Sequence, residues 1–471
     1  MIFDWHSQLN IEENCKGGNK LMKNNNIEQR DNFGSRFGII AAAAGSAIGL
    51  GNIWKFPYMT GLNGGAAFII VYLVCIAFIG LTLMLSEFII GRRAQKNAIG
   101  AFKKLAPNTP WFLTGWMGVI AAFVILSFYG VIAGWCMEYI VRAVMNSFAG
   151  MSPDEITSSF VDFIGRGGKP IFWQVAFMSL TGFIVVSGIK DGIEKYAKIL
   201  MPLLVAIIII LDIRAITLPG AGAGLEFLFK PDFSKLTANG ILMALGHAFF
   251  SLSLGMGTMI TYGSYISKKE NLGETALQVT IADTLIALLA GIAIFPAVFA
   301  FGIEPNAGPG LVFITLPNVF QQMPLGYLFS ILFFILLTVA ALTSSISILE
   351  VVVAYFVEDL KMNRKRATIT ATLAITLLGI PCSLSQGAVP LNIGGMSFLD
   401  AMSWLTDNLL LPLGGLLIVA FVGWVLGRKE VEEEVTAGGI KVSYIPLFMF
   451  LAKFVAPIAI ALVFLNGVGI I

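Results

Sequence analysis

Long apolar segments dominate this chain and are separated by short polar stretches. Eleven of them are long enough to cross a bilayer as a helix, which takes about 20 residues. Their approximate bounds are 37–61, 66–91, 111–144, 170–189, 196–218, 239–265, 276–303, 325–360, 367–387, 398–426 and 444–470. Residues 308–323 are proline-bounded and only moderately apolar, which predicts a re-entrant or lid segment. The predicted fold class is an all-α polytopic membrane protein with 11 transmembrane helices.

The first span is interrupted in its middle. Residues 45–51 contain three glycines, each of which weakens a helix by about 1 kcal/mol relative to alanine. In lipid, the backbone groups freed by a break survive only where they line a cavity. The alternative interpretation is a continuous helix with a glycine-rich packing face. A second glycine-rich interruption, Gly255-Met256-Gly257-Thr258, lies in the sixth span. Two such breaks, one in each half, predict a transporter built from two five-helix inverted repeats, with broken helices 1 and 6 around one binding site.

These patterns predict four parts along the chain. Residues 1–29 form a disordered cytoplasmic tail. Residues 30–426 form a ten-helix core of two repeats, about 36–218 and about 239–426. Residues 427–443 form a cytoplasmic loop, and residues 444–471 form an eleventh helix. Within the tail, the polar residues 1–21 precede Met22, where we expect translation to start.

Composition and charge narrow the class further. The chain is 57% hydrophobic and 12% charged, as in polytopic membrane proteins. A net charge of +2 without a basic run gives no indication of nucleic-acid binding. The four cysteines are scattered and there are two histidines, which argues against a disulfide framework or a metal cluster. An intramembrane enzyme is disfavoured because the spans hold no HExxH or GxSxG motif. The excess of Lys and Arg in alternate loops predicts a multi-pass plasma-membrane protein with a cytoplasmic N-terminus and an extracytoplasmic C-terminus.

Two carboxylates lie at membrane depth, where ionisable groups are costly and often functional. Glu87 is interpreted either as an acceptor for amides freed by a broken helix or as an interfacial partner of Arg92 or Arg93. Asp283 has no sequence-local cation. A buried carboxylate of this kind either faces a cation or stays protonated.

Span eight carries the hydroxyl side chains of Thr343 and Ser344. Such residues in membrane helices often only permit close packing or bond to their own backbone. Beside the free carbonyls of a broken helix, however, they complete an all-oxygen site. Oxygen ligands are those that hard cations prefer, so Na⁺ is the predicted ion.

Several motifs together resemble one family. They are Gly45–Pro57, Asn63-Gly64-Gly65-Ala66, Ser86-Glu87-Phe88, Tyr129, Phe249-Phe250-Ser251-Leu252-Ser253 and Leu342-Thr343-Ser344-Ser345. The pattern resembles the neurotransmitter:sodium symporters, in their bacterial eleven-span branch, over most of residues 30–426. The resemblance implies no enzymatic activity but Na⁺-coupled import of an amino acid across the bacterial inner membrane by alternating access.

The resemblance also implies two sodium sites. Site two takes the carbonyls of Gly45, Ile48 and Ala340 with the hydroxyls of Thr343 and Ser344, and site one takes Ala47, Asn52, Ser251 and Asp283. Many relatives have asparagine at the position of Asp283 and obtain a negative charge from chloride or from a glutamate one turn later. Here that later position is Ala287. Chloride-independent transport is therefore expected, with Asp283 carrying the charge and able to take a proton after sodium leaves.

The implied substrate site has two polar ends. The amides of Leu50 and Gly51 with the Tyr129 hydroxyl suit a carboxylate at a helix start, and carbonyls of Ala47, Phe250 and Ser251 suit an ammonium group. Monoamine carriers place an aspartate where this chain has Gly49, so the substrate is expected to bring its own carboxylate. The side-chain lining would be Ile125, Phe250, Ser253, Met256, Ser344 and Ile348. This lining favours aromatic or large aliphatic amino acids, with tyrosine first and tryptophan, phenylalanine and leucine open.

Gates are implied at both ends. On the cytoplasmic side Arg30 would pair with Glu358, beside Phe33 and Tyr265. On the outer side Lys55 would pair with Asp400 or Asp407, which lie one heptad apart. His247 stands where a glutamine is common in the family. Because the ordinary pKa of histidine is about 6.5, closure of the outer gate is predicted to depend on pH near that value.

Two alternative functions remain open. One is a Na⁺-coupled carrier of proline or an osmolyte, and the other is a non-transporting amino-acid sensor of the same fold. The expected partners are the amino acid, co-transported Na⁺ and the lipid bilayer, without nucleic acid; the sequence does not decide the oligomeric state.

Overall fold

The computed structural model of the protein describes residues 32–302 and 310–470, and every structural statement below refers to them. The predicted tail, residues 1–29, lies outside these ranges. The first half contains the helices α1 (Arg36–Ala47), α2 (Gly51–Leu62), α3 (Ala66–Ala94), α4 (Ala98–Leu105), α5 (Phe112–Val144), α6 (Pro153–Ile164), α7 (Gly168–Val186), α8 (Ile189–Ile216) and α9 (Ala221–Phe229).

The second half begins with a short 3₁₀ turn, Phe233–Lys235. Its helices are α10 (Ala238–Ser251), α11 (Thr258–Gly263), α12 (Leu272–Ala300), α13 (311–322), α14 (Gly326–Glu358), α15 (Arg364–Leu384), α16 (Phe398–Val435) and α17 (Ile445–Gly467). Two short strands, β1 (Asn392–Ile393) and β2 (Met396–Ser397), pair antiparallel and place Asn392 opposite Ser397.

The long helices account for the predicted spans. Nine helices in the described ranges, α3, α5, α7, α8, α12, α14, α15, α16 and α17, are long and apolar enough to cross a membrane. The pair α1 and α2 passes the same test together and is bent by 50° at its break. The interrupted pair α10 and α11 occupies the predicted sixth span. The architecture is thus almost entirely helical and consistent with eleven spans, two of them broken.

The broken first span lies at the centre of the bundle. Helix α1 packs against α8, α12 and α14, and α5 packs along α14. The buried face of α1 consists mostly of alanines and glycines. Small residues allow helices to approach closely in a membrane. At Gly45 a Cβ atom would lie 3.3 Å from the Cβ of Thr343. Short side chains on α1 therefore bring its backbone next to the hydroxyl residues of α14.

Four helical segments were not predicted from hydropathy. Three are α4, α6 and α9, which lie between spans, and the fourth is Gly427–Val435 at the end of α16, inside the segment predicted as a loop. These pieces are too short or too polar to register as spans. The start of α6 does carry a local signal, because Ser152 and Glu155 form a reciprocal capping box. The predicted lid segment is helical as α13, with its first two residues outside the described ranges.

Candidate functional site

The first helix break lies at residues 48–50. Ile48 has an extended backbone with ψ of 103°, although its amide still donates to the Ala44 carbonyl at 2.7 Å. The next two amides have side-chain acceptors. The Gly49 amide donates to Oδ1 of Asn52 at 3.0 Å, and the Leu50 amide donates to the Tyr129 hydroxyl at 3.1 Å. The break predicted from the glycine pattern is confirmed.

Gly49 leaves no room for a side chain. A Cβ atom there would lie 2.8 Å from the Tyr129 hydroxyl and 3.1 Å from the Cβ of Ser344. The backbone of α1 therefore touches α5 and α14 at the same point. Three residues predicted to surround the substrate, Leu50, Tyr129 and Ser344, come together here.

The second break occupies residues 252–257. Ser253, Gly255 and Gly257 have φ values of 54°, 81° and 75°, in the left-handed region. A Cβ atom at Gly255 would also lie 2.5 Å from the carbonyl oxygen of Leu411, so glycine is required there for two reasons. The glycine spacing that predicted the break thus has a direct structural cause.

Glu87 satisfies the backbone of this second break. Its carboxylate accepts from the amides of Gly255 at 2.7 Å and Ile260 at 3.3 Å, and the side chain is fully buried. The interpretation of Glu87 as an acceptor for freed amides is confirmed. The alternative pairing with Arg92 or Arg93 is wrong, because Arg92 bonds to Glu434 at 2.6 Å and Arg93 lies 3.1 Å from Glu430.

A cluster of buried oxygens surrounds Asp283. Nδ2 of Asn52 donates to Oδ1 of Asp283 at 2.7 Å, and the Ser251 hydroxyl lies 3.0 Å from Oδ2. Tyr72 donates to the Ser251 hydroxyl at 3.2 Å. All four side chains are at most 1% exposed. The hydrogen bonds described for this carboxylate come from neutral groups, so a cation held there would offset the cost of burying its charge.

Asn52, Ser251 and Asp283 were predicted, together with Ala47, as one sodium site. The structure brings the side chains of Asn52, Ser251 and Asp283 together. Tyr72 was not predicted. Its only sequence signal is a hydroxyl group within the apolar helix α3. That signal by itself does not distinguish a site residue from a core tyrosine.

The predicted second sodium site lies between α1 and α14. The Thr343 hydroxyl donates to the Ala340 carbonyl at 3.0 Å, and the Cβ of Thr343 would lie 3.3 Å from a Cβ atom built on Gly45. A carbonyl, a hydroxyl and the end of a broken helix thus meet in one buried place. These oxygen atoms are of the kind that an alkali cation takes as ligands.

Three serines tie the two breaks together, and two of them were not predicted. Ser347 donates to the Ser46 hydroxyl at 2.7 Å, and Ser253 donates to the Ser46 carbonyl at 2.8 Å. Ser253 was predicted to surround the substrate side chain, and this stays a prediction. In the structure its hydroxyl is engaged with α1.

The remaining lining residues lie on the helices around the breaks. Ile125 on α5, Met256 in the second break and Ile348 on α14 are each at most 2% exposed. A cavity of about 300 Å³ lies beside the first break, and these three residues are not part of its lining. It is lined by Leu50, Gly51, Tyr129, Phe250, Lys55 and Asp407, with the aromatic rings of Trp54, Trp135, Phe160 and Phe313. Leu50 and Gly51, whose amides were predicted to bind a carboxylate, therefore line a cavity.

An ion pair stands at the predicted outer gate. Nζ of Lys55 lies 2.8 Å from Oδ2 of Asp407 and 4.4 Å from the ring centre of Phe250. Of the two candidate acids, Asp407 is the partner of Lys55. Asp400 instead accepts from the Ser397 hydroxyl at 2.7 Å at the start of α16, so its prediction as a gate partner is wrong.

His247 lies near this pair, in the lining of a smaller cavity shared with Lys55 and Asp407. Its ring is 2% exposed and packs against Phe56 and Tyr72, with centres 5.9 Å and 5.5 Å away. Neither ring nitrogen has a hydrogen-bond partner among the described residues. The pH-sensitive gate stays a prediction, tested by comparing the pH profile of transport with that of His247→Gln.

The predicted cytoplasmic gate is described only in part, because Arg30 lies outside the described residues. Glu358 accepts from the amide and side chain of Asn97 at 2.9 Å and 3.1 Å. Phe33 packs edge-on against Tyr265, with ring centres 6.1 Å apart, and its amide donates to the Tyr265 carbonyl. The structure therefore places Phe33 and Tyr265 together, as predicted.

A second acid at this end was missed. Tyr265 donates to Oε1 of Glu350 at 2.7 Å, and Arg364 bonds both Glu350 oxygens, at 3.1 Å and 2.6 Å. Glu350 is fully buried. An ionisable residue inside an apolar span was the available signal.

Two broken helices, freed backbone groups facing a cavity and buried oxygen clusters define a polytopic transporter of inverted-repeat type. Comparison with known proteins gives the family. Residues 30–155 and 155–470 match the sodium:neurotransmitter symporter family. The chain belongs to that family. It is a sodium-dependent, multi-pass membrane transporter, Na⁺ is its co-transported ion, and it is not an enzyme.

Individual relatives agree with this assignment. An uncharacterized sodium-dependent transporter of Bacillus subtilis, YhdH, is 43% identical over 93% of this chain and 98% of its own length. One from Haemophilus influenzae is 39% identical over 94% and 99%. The human sodium- and chloride-dependent taurine transporter is 28% identical over 67% of this chain and 58% of its own. Among solved structures, MhsT in complex with L-phenylalanine matches with a TM-score of 0.87 and 48% identity, over 93% of this chain and all of that one.

Proposed function

We propose that this protein imports a hydrophobic or aromatic amino acid together with Na⁺, by alternating access and without chloride. Its N-terminus is cytoplasmic and its C-terminus extracytoplasmic. The observation that carries this proposal is the arrangement around the first break. The Leu50 amide and Tyr129 hydroxyl lie at one side of it, and the Asn52–Asp283 cluster lies at the other.

Recognition of a carboxylate follows from the local backbone. Leu50 precedes the first turn of α2, where the positive end of the helix dipole favours an anion. Because Gly49 has no space for an aspartate, no protein carboxylate competes for this position. A substrate that brings its own carboxylate completes the site and places a negative charge next to the first sodium.

The apolar lining and one relative support a bulky side chain. Ile125, Met256 and Ile348 offer buried carbon surface and no charge. The solved structure of MhsT contains L-phenylalanine, and that protein is 48% identical to this chain. Tyrosine is the first candidate to test, followed by phenylalanine, tryptophan and leucine.

Chloride independence rests on the charge of Asp283. In many relatives a chloride ion or a neighbouring glutamate supplies a negative charge near the first sodium. Here Asp283 itself stands among the sodium ligands, and the residue one turn later is Ala287. Because Asp283 already supplies this charge, chloride is not needed to balance the buried sodium ion.

The proposed cycle uses both gates. Sodium enters from outside, binds the oxygens beside both breaks and fixes α1 against α14. The substrate carboxylate then shares the first sodium, so that each ligand raises the affinity of the other. Lys55 and Asp407 close the outer side, the cytoplasmic contacts open, and both ligands leave. Each Na⁺ that crosses a potential of 100 mV contributes about 2.3 kcal/mol.

The test is uptake of radiolabelled tyrosine into proteoliposomes under an inward Na⁺ gradient. Accumulation that unlabelled phenylalanine, tryptophan or leucine inhibits, and that proline and betaine do not, supports the proposal. Inhibition by proline or betaine alone indicates the osmolyte carrier. Sodium-dependent binding without accumulation indicates a sensor. Tyr129→Phe, which removes only the hydroxyl, should raise KM for the amino acid, whereas Tyr139→Phe, outside the site, should not.

A further inference from the structure

Glu194 makes a set of contacts that neither the sodium sites nor the gates described above include. It is the last residue of the π-helical segment Ile189–Glu194, with which α8 begins. This segment follows Gly188, whose φ is 93°. The side chain is 2% exposed although the segment is at the predicted cytoplasmic end. The buried carboxylate therefore has a specific task in the fold.

Two of its close partners, Gly34 and Ser35, directly precede α1, and the third, Lys198, lies on α8. The amide of Gly34 donates to Oε2 at 2.6 Å, and the Ser35 hydroxyl donates to Oε1 at 2.9 Å. Ser35 is also the N-cap of α1, because its oxygen accepts from the amide of Gly38 at 3.0 Å. Lys198, one turn further along α8, lies 2.5 Å from Oε1. Glu194 thus binds the N-terminal end of α1 directly and through its cap.

Gly38 leaves the space that the Glu194 side chain occupies beside α1. A Cβ atom at Gly38 would collide with the Glu194 carboxylate. A negative charge at this place is also favourable to α1, since the N-terminus of a helix attracts anions. Small residues on α1 and an acid on α8 therefore form one fitted contact.

The same two helices meet again at the predicted second sodium site. At Gly45 a Cβ atom would lie 3.2 Å from the Met201 sulfur of α8 and 3.3 Å from Thr343 of α14. A helix of 12 residues is about 18 Å long, so α1 links the Glu194 contact to the sodium ligands at its other end as one rigid rod. Its C-terminal end is the break at Ile48.

We infer that Glu194 is the latch that holds the cytoplasmic end of α1 against α8 and that must release for sodium to leave site two. The inference rests on the proposed alternating-access cycle and makes Glu194 a positioning residue, since it acts on sodium through α1. Sodium at site two and the Glu194 contact both favour the same position of α1. By reciprocity, loss of the latch weakens sodium binding, and bound sodium strengthens the latch.

The experiment is hydrogen–deuterium exchange of the full-length protein in nanodiscs, in Na⁺ or in choline, without amino acid. In Glu194→Gln, the amides of residues 34–40 should exchange roughly tenfold faster in choline, within the range of about 5–150-fold typical of coupled sites. Saturating Na⁺ should restore wild-type protection. The sodium concentration for half-maximal protection should rise by a similar factor.

Two further variants make the result specific. Gly38→Ala leaves the carboxylate in place but blocks its approach, and it should reproduce the effect of Glu194→Gln. Glu226→Gln is the matched control, because Glu226 pairs with Lys230 four residues on, as Glu194 does with Lys198, but is exposed on another helix. It should leave exchange of residues 34–40 unchanged.

Two outcomes overturn the latch. One is wild-type exchange and wild-type sodium dependence in both Glu194→Gln and Gly38→Ala. The other is faster exchange that saturating Na⁺ does not reverse, with loss of phenylalanine binding, which makes Glu194 a structural support. Because exchange is followed with sodium alone, a wild-type protein that fails to move amino acids refutes the proposed function separately.

Discussion

The carboxylate of Glu87 accepts a hydrogen bond from the amide of Gly255 at 2.7 Å, across 168 residues of sequence. One buried acid on α3 thereby stabilises the unwound segment between α10 and α11. A hydrogen bond to a charged group contributes about 1.5–3 kcal/mol, and this carboxylate makes two to backbone amides. The second break is therefore a fixed feature of the fold.

Glu87→Gln tests this role. The amide side chain keeps one acceptor and loses the charge, so we expect a loss of about 1–3 kcal/mol in stability. Thermal unfolding in detergent should show a lower Tm, and transport should fall, while Glu226→Gln, at an exposed side chain of α9, leaves both unchanged. An unaltered Tm for Glu87→Gln would contradict the assignment.

Gly49 gives a second prediction. Gly49→Ala places a methyl group 2.8 Å from the Tyr129 hydroxyl and 3.1 Å from Ser344, so the carboxylate-binding groups must shift. We expect amino-acid affinity to fall at least tenfold with little change in Tm. Gly222→Ala on α9 is the control, because a Cβ atom there meets no atom within 4 Å. Equal phenylalanine binding by the two variants would show that space at Gly49 is unimportant.

The ion pair between Lys55 and Asp407 gives a third prediction. Lys55 and Asp407 are partly exposed, with 32% and 22% of their side chains accessible, so their attraction is screened and small in stability terms. Its expected effect is on gate closure. Asp407→Asn should reduce the transport rate several-fold and speed release of bound phenylalanine towards the outside, whereas Asp400→Asn should not. The exchanged pair Lys55→Asp with Asp407→Lys should recover part of the rate. Equal effects of the two aspartate variants would mean that the Lys55 contact does not control closure.

The sequence predicted those features that are local in the chain. Both helix breaks follow from glycines a few residues apart, and their positions agree with the structure. Apolar length likewise located the spans. Asp283 was singled out because an acid in an apolar span is conspicuous, whereas its neighbours Asn52 and Ser251 came from the resemblance to a family.

Long-range contacts account for most of what was missed. Asp400 and Asp407 are one heptad apart on α16, so only the folded structure shows which one reaches Lys55. Tyr72 and Ser347 are ordinary residues of membrane helices until their partners are known. The Ser253 hydroxyl bonds to the Ser46 carbonyl across 207 residues of sequence, so only the folded chain shows this contact. Glu350 and Glu194 did carry the signal of an acid in or beside an apolar segment.

The central claim is that Asp283 supplies the negative charge for sodium binding, and one measurement tests it most directly. Sodium-driven amino-acid uptake into proteoliposomes is compared in chloride and in gluconate, for wild type, Asp283→Asn and Asp212→Asn. Asp212 is a second buried aspartate, on α8 and 7% exposed, and serves as the matched control. We predict equal wild-type uptake in both anions, a loss of at least tenfold for Asp283→Asn in gluconate with partial recovery in chloride, and wild-type behaviour for Asp212→Asn. Wild-type uptake that requires chloride, or undiminished uptake by Asp283→Asn in gluconate, would contradict the account.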